Sequence, residues 1–483
     1  MHYQMNEIEK IHNQGYFDGG YFILNPNRVN EPWKCINDFY VTLPYEHSIK
    51  KEILNLIKDT RSCLKICSFI LTDKDIFGEI ESILEEYEVA VFILTQLDES
   101  KFSSSLLTEE ELWENVNQTH LDMIKKLYDK GAHIRATKNA HAKFVISDRK
   151  KAFVMSANVT TPSLTINPES GVYIHDINTA CHLDRVFDII FQYGTEYTEF
   201  ITADSAKQFI VSRDSKISKN AFFFNGETNL RFTFNDITHS LYQSLVDTIR
   251  KAQSNIFIST YSIVGLENLP ELVSAIKEKN KDGFSISIFT RGMNYRADHL
   301  YSCTQLASIG CTLYGDIFNH SKGVFTNESS ILFTANIDGN HGLKNGFEVG
   351  IVLDENQAKH MEAFIKWQIL SAPYKFVVSP EKKALFQQYS FYCTEKGISP
   401  IEMSKNVTIK LLKDNAFLVK DINTTPCYLK TKGRKITHIQ IGKYYYEAEY
   451  RDRILFIGKK VKYSESSMDS YLFEYENIDI TIE

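Results

Sequence analysis

His141-Ala142-Lys143, followed by Asp148, Ser156-Ala157-Asn158 and Glu169, decides the reading of this chain, because it is spelled twice. The second copy runs His320-Ser321-Lys322, then Asn327, Thr334-Ala335-Asn336 and Glu348. The two histidines lie 179 residues apart, and the His-to-Glu interval is 28 in both copies. A lone His-x-Lys arises easily by chance. The whole set at matched intervals, twice, points to a duplicated unit whose repeat is far longer than the roughly 20–50 residues of a solenoid.

Chemistry gives a reason for the pairing. Two imidazoles can divide one phosphodiester cleavage, one attacking phosphorus and the other protonating the leaving oxygen. Two lysines with hydroxyl and amide side chains can surround the phosphoryl oxygens and stabilise the transition-state charge. A carboxylate behind each imidazole can fix its tautomer.

The flanking sequence supports an α/β fold. Cys63–Leu71 and Val89–Leu94 are apolar runs of strand length, separated by the polar helical stretch Asp75–Tyr87. A helix over Leu121–Lys130 ends at Gly131, and strands are expected at Ala132–Ala136, Ala142–Ser147, Ala152–Ser156 and Gly171–His175. The second half repeats the order. Strands are expected at Asn255–Ile263, Phe284–Thr290, Thr312–Tyr314, Lys322–Thr326, Ser330–Ala335 and Phe347–Leu353, and helices at Leu269–Lys279 and Asp298–Ile309. This predicts duplicated α/β domains, a mixed sheet flanked by helices in each, with the site between them. The expected boundaries are 1–205 and 206–375. The second copy is one residue shorter between Asn327 and Thr334; since a slip within a strand would turn side chains to the other face, the difference belongs in a turn.

From 376 to 483 the character changes. Ser371-Ala372-Pro373 and Ser379-Pro380 read as a linker, Glu381–Lys396 as a short helix, and the rest as a small all-β domain with strands from Val407 to Glu476. Lys405 to Lys462 carries 14 Lys/Arg against 5 Asp/Glu, a local excess of +9 in a chain of net charge −7. Tyr444-Tyr445-Tyr446, Tyr450 and Phe456 lie among these charges. Basic residues interleaved with aromatics suit a surface that tracks a nucleic-acid backbone and stacks on bases. They also suit an ordinary sheet with Lys on its solvent face and Tyr in its pleats.

The overall composition excludes little. Hydrophobic residues at 43% and charged ones at 24% are ordinary for a globular protein. The eight cysteines have no zinc-ligand spacing, so no metal is expected, and Cys63 and Cys67 read as core. The first residues lack a basic and apolar leader, and no apolar run is long enough to span a bilayer. The expectation is a cytoplasmic protein with reduced thiols.

The duplicated HxKxxxxD, each followed by a small hydroxyl-x-Asn, resembles the phospholipase D superfamily over roughly residues 50–370. The resemblance implies a phosphohistidine intermediate and no cofactor. It makes His141 the nucleophile and His320 the general acid, with Lys143, Lys322, Ser156, Asn158, Thr334 and Asn336 around the phosphate. Glu169 and Glu348 occupy the places of the His-orienting carboxylates. Asn327 departs from the pattern, standing where a second Asp is expected beside Asp148. The family handles lipids, nucleic acids and DNA–protein adducts, so the fold leaves the substrate open. The basic, aromatic β segment favours a nuclease on DNA, in processing or defence, with an ATPase or helicase as a partner of the kind the family keeps. The alternatives are a phospholipase D or phosphatidyl transferase, and a non-catalytic nucleic-acid-binding scaffold.

Overall fold

The structure is a computed structural model. It describes residues 20–34, 38–86, 89–97, 116–137, 140–195, 227–293 and 296–380, with shorter stretches at 2–4, 197–202, 208–212, 217–222 and 384 and the strands between 407 and 473. Residues 25–292 and 301–376 form one compact unit that holds both copies of the motif. Residues 1–24, 293–300 and 377–483 form the other.

In the larger unit each half contributes the same seven central strands. The first half has β1 (Tyr40–Leu43), β2 (Cys63–Cys67), β3 (Ala90–Thr95), β4 (His133–Ala136), β5 (Phe144–Ser147), β6 (Lys151–Met155) and β7 (Glu169–Tyr173). The second has β8 (Leu230–Phe234), β9 (Ile256–Ser259), β10 (Ile286–Arg291), β11 (Thr312–Asp316), β12 (Gly323–Phe325), β13 (Ser330–Phe333) and β14 (Phe347–Val352). The sheet orders are β1-β7-β6-β5-β2-β3-β4 and β8-β14-β13-β12-β9-β10-β11, identical strand for strand. The pairs β2–β3 and β3–β4 are parallel and the rest antiparallel, and the second sheet repeats this. Duplication is therefore visible in topology as well as in motif.

Four helices per half cover these sheets: α1 (Ser48–Lys58), α2 (Lys74–Glu86), α3 (Val116–Asp129) and α4 (Ile177–Tyr193), answered by α5 (Ser240–Lys251), α6 (Pro270–Lys281), α7 (Ala297–Ser308) and α8 (Glu355–Ser371). In α1, Ile49, Ile53, Leu56 and Ile57 make one buried face. At about 1.5–3 kcal/mol per fully buried aliphatic side chain, that face outweighs the weak cap at His47. α4 and α8 begin at Asp176 and Asp354, whose carboxylates accept the Thr179 and Gln357 amides. Gly131 (φ 98°) and Gly310 (φ 100°) follow α3 and α7 in the left-handed conformation expected of helix-ending glycines.

Several expectations change. The run Cys63–Leu71 is a strand only to Cys67, and Asn255–Ile263 breaks after Ser259. In each case the chain leaves the sheet to line the site. The stretch read as a linker contains a strand, Tyr374–Val378, whose Lys375 pairs with Tyr314 of β11. β1, β8, α1, α4, α5 and α8 were not anticipated at all. The helix expected at Glu381–Lys396 lies outside the described residues. The shorter second copy is absorbed where expected. Ser147 pairs with Lys151 across three turn residues, whereas in the second copy the Thr326 amide donates to the Ser329 carbonyl at 3.0 Å across only two, Asn327 and Glu328.

One apolar cluster joins the halves. Phe144 meets Phe187 and Phe347 edge-on at 6.1 Å, and Phe347 meets Phe234 at the same distance. Within the smaller unit a six-stranded antiparallel sheet pairs Cys427–Lys432, Lys435–Ile441, Tyr444–Arg451, Ile454–Val461 and Ser470–Phe473, with His2–Gln4 at one edge.

Candidate active site

Each motif histidine lies at the entrance to a strand and faces the strand that carries the other half's glutamate. The His141 amide donates to the Phe347 carbonyl at 3.1 Å, and the His320 amide to the Pro168 carbonyl at 3.0 Å. Those acceptors immediately precede Glu348 and Glu169. The side chains follow the backbone. His141 Nδ1 lies 2.6 Å from Glu348 Oε1, and His320 Nδ1 lies 2.6 Å from Glu169 Oε1. The carboxylates thus cross over, and each orients the imidazole of the opposite half. A carboxylate on Nδ1 holds the proton there and leaves Nε2 as the reactive nitrogen. Nε2 of both histidines is buried and makes no hydrogen bond among the described residues.

The hydroxyls serve the carboxylates. Ser156 Oγ donates to Glu169 Oε2 at 2.5 Å and accepts the Ser170 amide at 3.0 Å. Thr334 Oγ1 donates to Glu348 Oε2 and accepts the Val349 amide at 3.0 Å. Both hydroxyls, expected around a phosphate, therefore sit one step behind it and fix the glutamates. Lys143 Nζ donates to the His141 carbonyl, and Lys322 Nζ to the His320 carbonyl at 2.6 Å. Asn158 and Asn336, each two residues after the hydroxyl of its half, are both buried, and Asn336 Oδ1 has no hydrogen-bond partner among the described residues.

Asp148 and Asn327 are not brought to the site. Asp148 (φ 49°) turns its carboxylate onto the Arg61, Ser62 and Cys63 amides and the Ser62 hydroxyl, pinning the start of β2 to the β5–β6 turn. The Asn327 amide donates to Ser254 Oγ at 3.2 Å, a lighter tie before β9.

The site is buried and heavily charged. His141 is 8% exposed, while His320, Lys143, Lys322, Glu169 and Glu348 are at most 1%. Burying such groups costs free energy and is a mark of function as much as of structure. Burial pushes both imidazoles below their ordinary range. Lys143 and Lys322 add to the effect, and for His141 the charge of Glu348 opposes it. His320 is pushed furthest, with Lys322, Lys143, His141 and Arg291 all acting in one direction. Burial would raise the Glu348 carboxyl, but His141, Lys143 and the Thr334 hydroxyl together hold it below its usual range.

Three further side chains stand outside the motif. Phe69 meets the His141 ring edge-on at 5.4 Å, and Tyr261 meets His320 at 5.0 Å. Arg291 lies over Tyr261, its Cζ 5.2 Å from the ring centroid. Phe69 and Tyr261 follow β2 and β9 and Arg291 ends β10, outside the repeated motif letters, so no repeat marks them in the sequence. Among the described residues no group of three or more His, Cys, Asp or Glu is placed to hold a metal ion, and no helix is long and apolar enough to cross a membrane.

A family model described as cardiolipin synthase, PLD-like domain, matches residues 53–190. No curated protein matches the chain. Similar solved structures include phosphatidylserine synthase of Haemophilus influenzae Rd KW20 (13% identity, 80% of this chain and 97% of that one, TM-score 0.46). Polyphosphate kinase of Porphyromonas gingivalis matches at 12% identity over 68% of this chain, with TM-score 0.44; the chain spans about half the length of that kinase (49%). Nuc, a phospholipase D family member of Salmonella typhimurium, matches at 19% identity over 29% of this chain and 90% of that one, with TM-score 0.24. The PLD-like domain over 53–190, carrying the first His-x-Lys motif, and its strand-for-strand repetition after residue 230 support the resemblance to the phospholipase D superfamily.

Proposed function

We propose that the chain is a metal-independent phosphodiesterase that works through a phosphohistidine, and that its substrate is DNA. The observation that carries the chemistry is the pair of imidazoles, each with Nδ1 on a buried carboxylate at 2.6 Å and Nε2 available. In this reading neutral His141 attacks phosphorus through Nε2. A P–N bond forms and the P–O bond to the leaving alcohol breaks; His320, protonated on Nε2 as well as Nδ1 once the anionic phosphodiester is bound beside it, gives the Nε2 proton to that oxygen and becomes neutral. Water then attacks the phosphohistidine and gives a proton to His320; the P–N bond breaks and a phosphomonoester leaves. Lys143, Lys322, Asn158 and Asn336 balance the growing negative charge. The halves 1–205 and 206–375 each supply one histidine and the other's glutamate.

The substrate class rests on the third proposed domain, 376–483, with its local +9 and its tyrosines. A role in DNA processing or defence, in the cytoplasm and beside an ATPase or helicase, goes with that reading. Transfer of a phosphatidyl group is the second reading, favoured by the cardiolipin synthase description of the matching domain. Incubation of the pure protein with single-stranded DNA, duplex DNA, RNA and phosphatidylcholine vesicles in excess EDTA separates them. Cleavage of DNA without lipid turnover is expected. Activity on lipid only would move the assignment to the second reading, and complete dependence on added magnesium or manganese would overturn the mechanism.

A further inference from the structure

We propose that Gln368 of α8 is a positioning residue for the reaction: through Asn319 and Ser321 it fixes the place of His320, and nothing equivalent fixes His141. The inference rests on the phosphodiesterase reading with His320 as its proton donor, and it names the residue that holds that donor.

The neighbours of His320 on both sides belong to one buried hydrogen-bond network. Gln368 Nε2 donates to Ser321 Oγ at 2.9 Å, and Ser321 Oγ donates to Asn319 Oδ1 at 2.9 Å. Asn319 Oδ1 also accepts the Ser321 amide at 3.2 Å, which bridges the chain across His320. Ser259 Oγ, at the end of β9, lies 2.7 Å from Ser321 Oγ. Asn319 Nδ2 donates to the Thr260 carbonyl at 3.0 Å. That carbonyl belongs to the peptide that carries Tyr261, whose ring meets His320 edge-on at 5.0 Å. Ser259, Asn319, Ser321 and Gln368 are at most 1% exposed.

The duplication supplies an internal control. Asn319 and Ser321 match Ala140 and Ala142 on either side of His141. Ser259 pairs with Gly323 as Cys67 pairs with Phe144, three residues after each histidine, so Ser259 matches Cys67. Two residues on, Tyr261 matches Phe69, and these accept the Arg291 and Gln96 amides. Gln368 and Ile190 each stand 14 residues after the cap aspartates Asp354 and Asp176. Where the second half has Asn, Ser, Ser and Gln, the first has Ala, Ala, Cys and Ile, all buried.

Apolar side chains can fill such a space without loss of stability, as the first half does. What a fully bonded buried network adds is one fixed geometry. The two histidines differ in their need for it. His141 travels, because its Nε2 closes on phosphorus from about 3–3.5 Å to a bond. His320 gives a proton in the first step and takes one in the second, so its Nε2 has to stay within reach of oxygen through both. The network lies behind the histidine that has to stay.

Gln368→Met removes these bonds with little change of volume, and two esters read the result. On a single-stranded oligodeoxynucleotide, kcat/KM should fall about ten- to 100-fold. On the p-nitrophenyl ester of thymidylate, whose leaving group needs no proton, it should fall less than about threefold. In both cases kcat/KM reports the step that forms the phosphohistidine. A merely structural residue would lower both equally by reducing the folded fraction. Equal losses, no loss on either, or a loss confined to the p-nitrophenyl ester would overturn the proposal. Should Gln368→Met not fold, Ser321→Ala, which copies Ala142, is read on the same esters with the same split expected. Should wild type leave the oligonucleotide intact, the nuclease reading fails by itself, and NMR of the imidazole N–H protons decides the positioning. The Nδ1 proton of His320 should then exchange with water at least about tenfold faster in Gln368→Met, with that of His141 unchanged. An equal change in both, or none, would sink it.

Discussion

At the scale of single residues, the crossed carboxylates separate two roles that the matched 28-residue intervals conceal. Nothing in the sequence distinguishes Glu169 serving His141 from Glu169 serving His320. The distinction comes from the backbone bonds of His141 to Phe347 and of His320 to Pro168. It has a kinetic consequence. Glu348→Gln removes the carboxylate from the proposed nucleophile, so trapped phosphoenzyme and turnover should both fall by about 10²–10⁴. Glu169→Gln acts on the proposed acid and should be largely spared on p-nitrophenyl esters, whose leaving group needs no proton. Rapid-quench labelling and steady-state rates on the two ester types measure this. The reverse pattern would exchange the roles of the histidines. The motif residues were legible because duplication makes them improbable. Tyr261 and Arg291 were not, because Phe69 and Gln96 stand opposite them and leave no repeat to see.

At the scale of elements, the strands that flank the motif were read well, being short apolar runs bounded by turn residues. The helices α1, α4, α5 and α8 lie outside the stretches that the two motif copies mark, although Ile49, Ile53, Leu56 and Ile57 of α1 stand at helical spacing. The motif aspartate looked chemical and proves architectural. Asp148 accepts three backbone amides and a hydroxyl at the start of β2, and these bonds hold its carboxyl below its ordinary range against the effect of burial. Asp148→Ala should therefore lower stability by roughly 1–3 kcal/mol while the folded fraction keeps its activity. Asn327→Asp, in a turn where the residue's backbone amide rather than its side chain makes the bond to Ser254, should leave both fold and turnover within about tenfold. Denaturant titration with parallel assays checks the pair. A loss of chemistry without a loss of stability in Asp148→Ala would return this residue to the reaction.

At the scale of the whole molecule, buried ionisation and surface charge predict opposite kinds of response. The imidazoles of His141 and His320 are held below the ordinary value of about 6.5, so above that pH both folded and unfolded chains carry them neutral. As pH falls below about 6.5 the unfolded chain takes up protons first, and stability should drop. Glu348, held below its ordinary range, adds a further loss at pH values below its unfolded value. Thermal melts between pH 8 and 5 should show the decline, and the double variant His141→Asn, His320→Asn should flatten it.

The basic sheet should respond to salt instead. Tyr446 is 7% exposed opposite Ile439 at 1%, so it belongs to that sheet's buried face; Tyr444 is on the same face but 39% exposed, and the half-buried Tyr445 is on the other. The stacking proposed for this sheet therefore falls to the outward Tyr445 and the exposed Tyr444, and Tyr446→Ala should act on stability. If the +9 segment contacts phosphates, DNA affinity should fall steeply as salt rises. Lys430→Gln and Lys459→Gln in the full chain should each reduce the slope of log K against log salt by about one. Anisotropy across a salt series reads this directly. A slope near zero in the unsubstituted protein would remove this sheet from substrate binding and leave the paired histidines without a reason to prefer DNA.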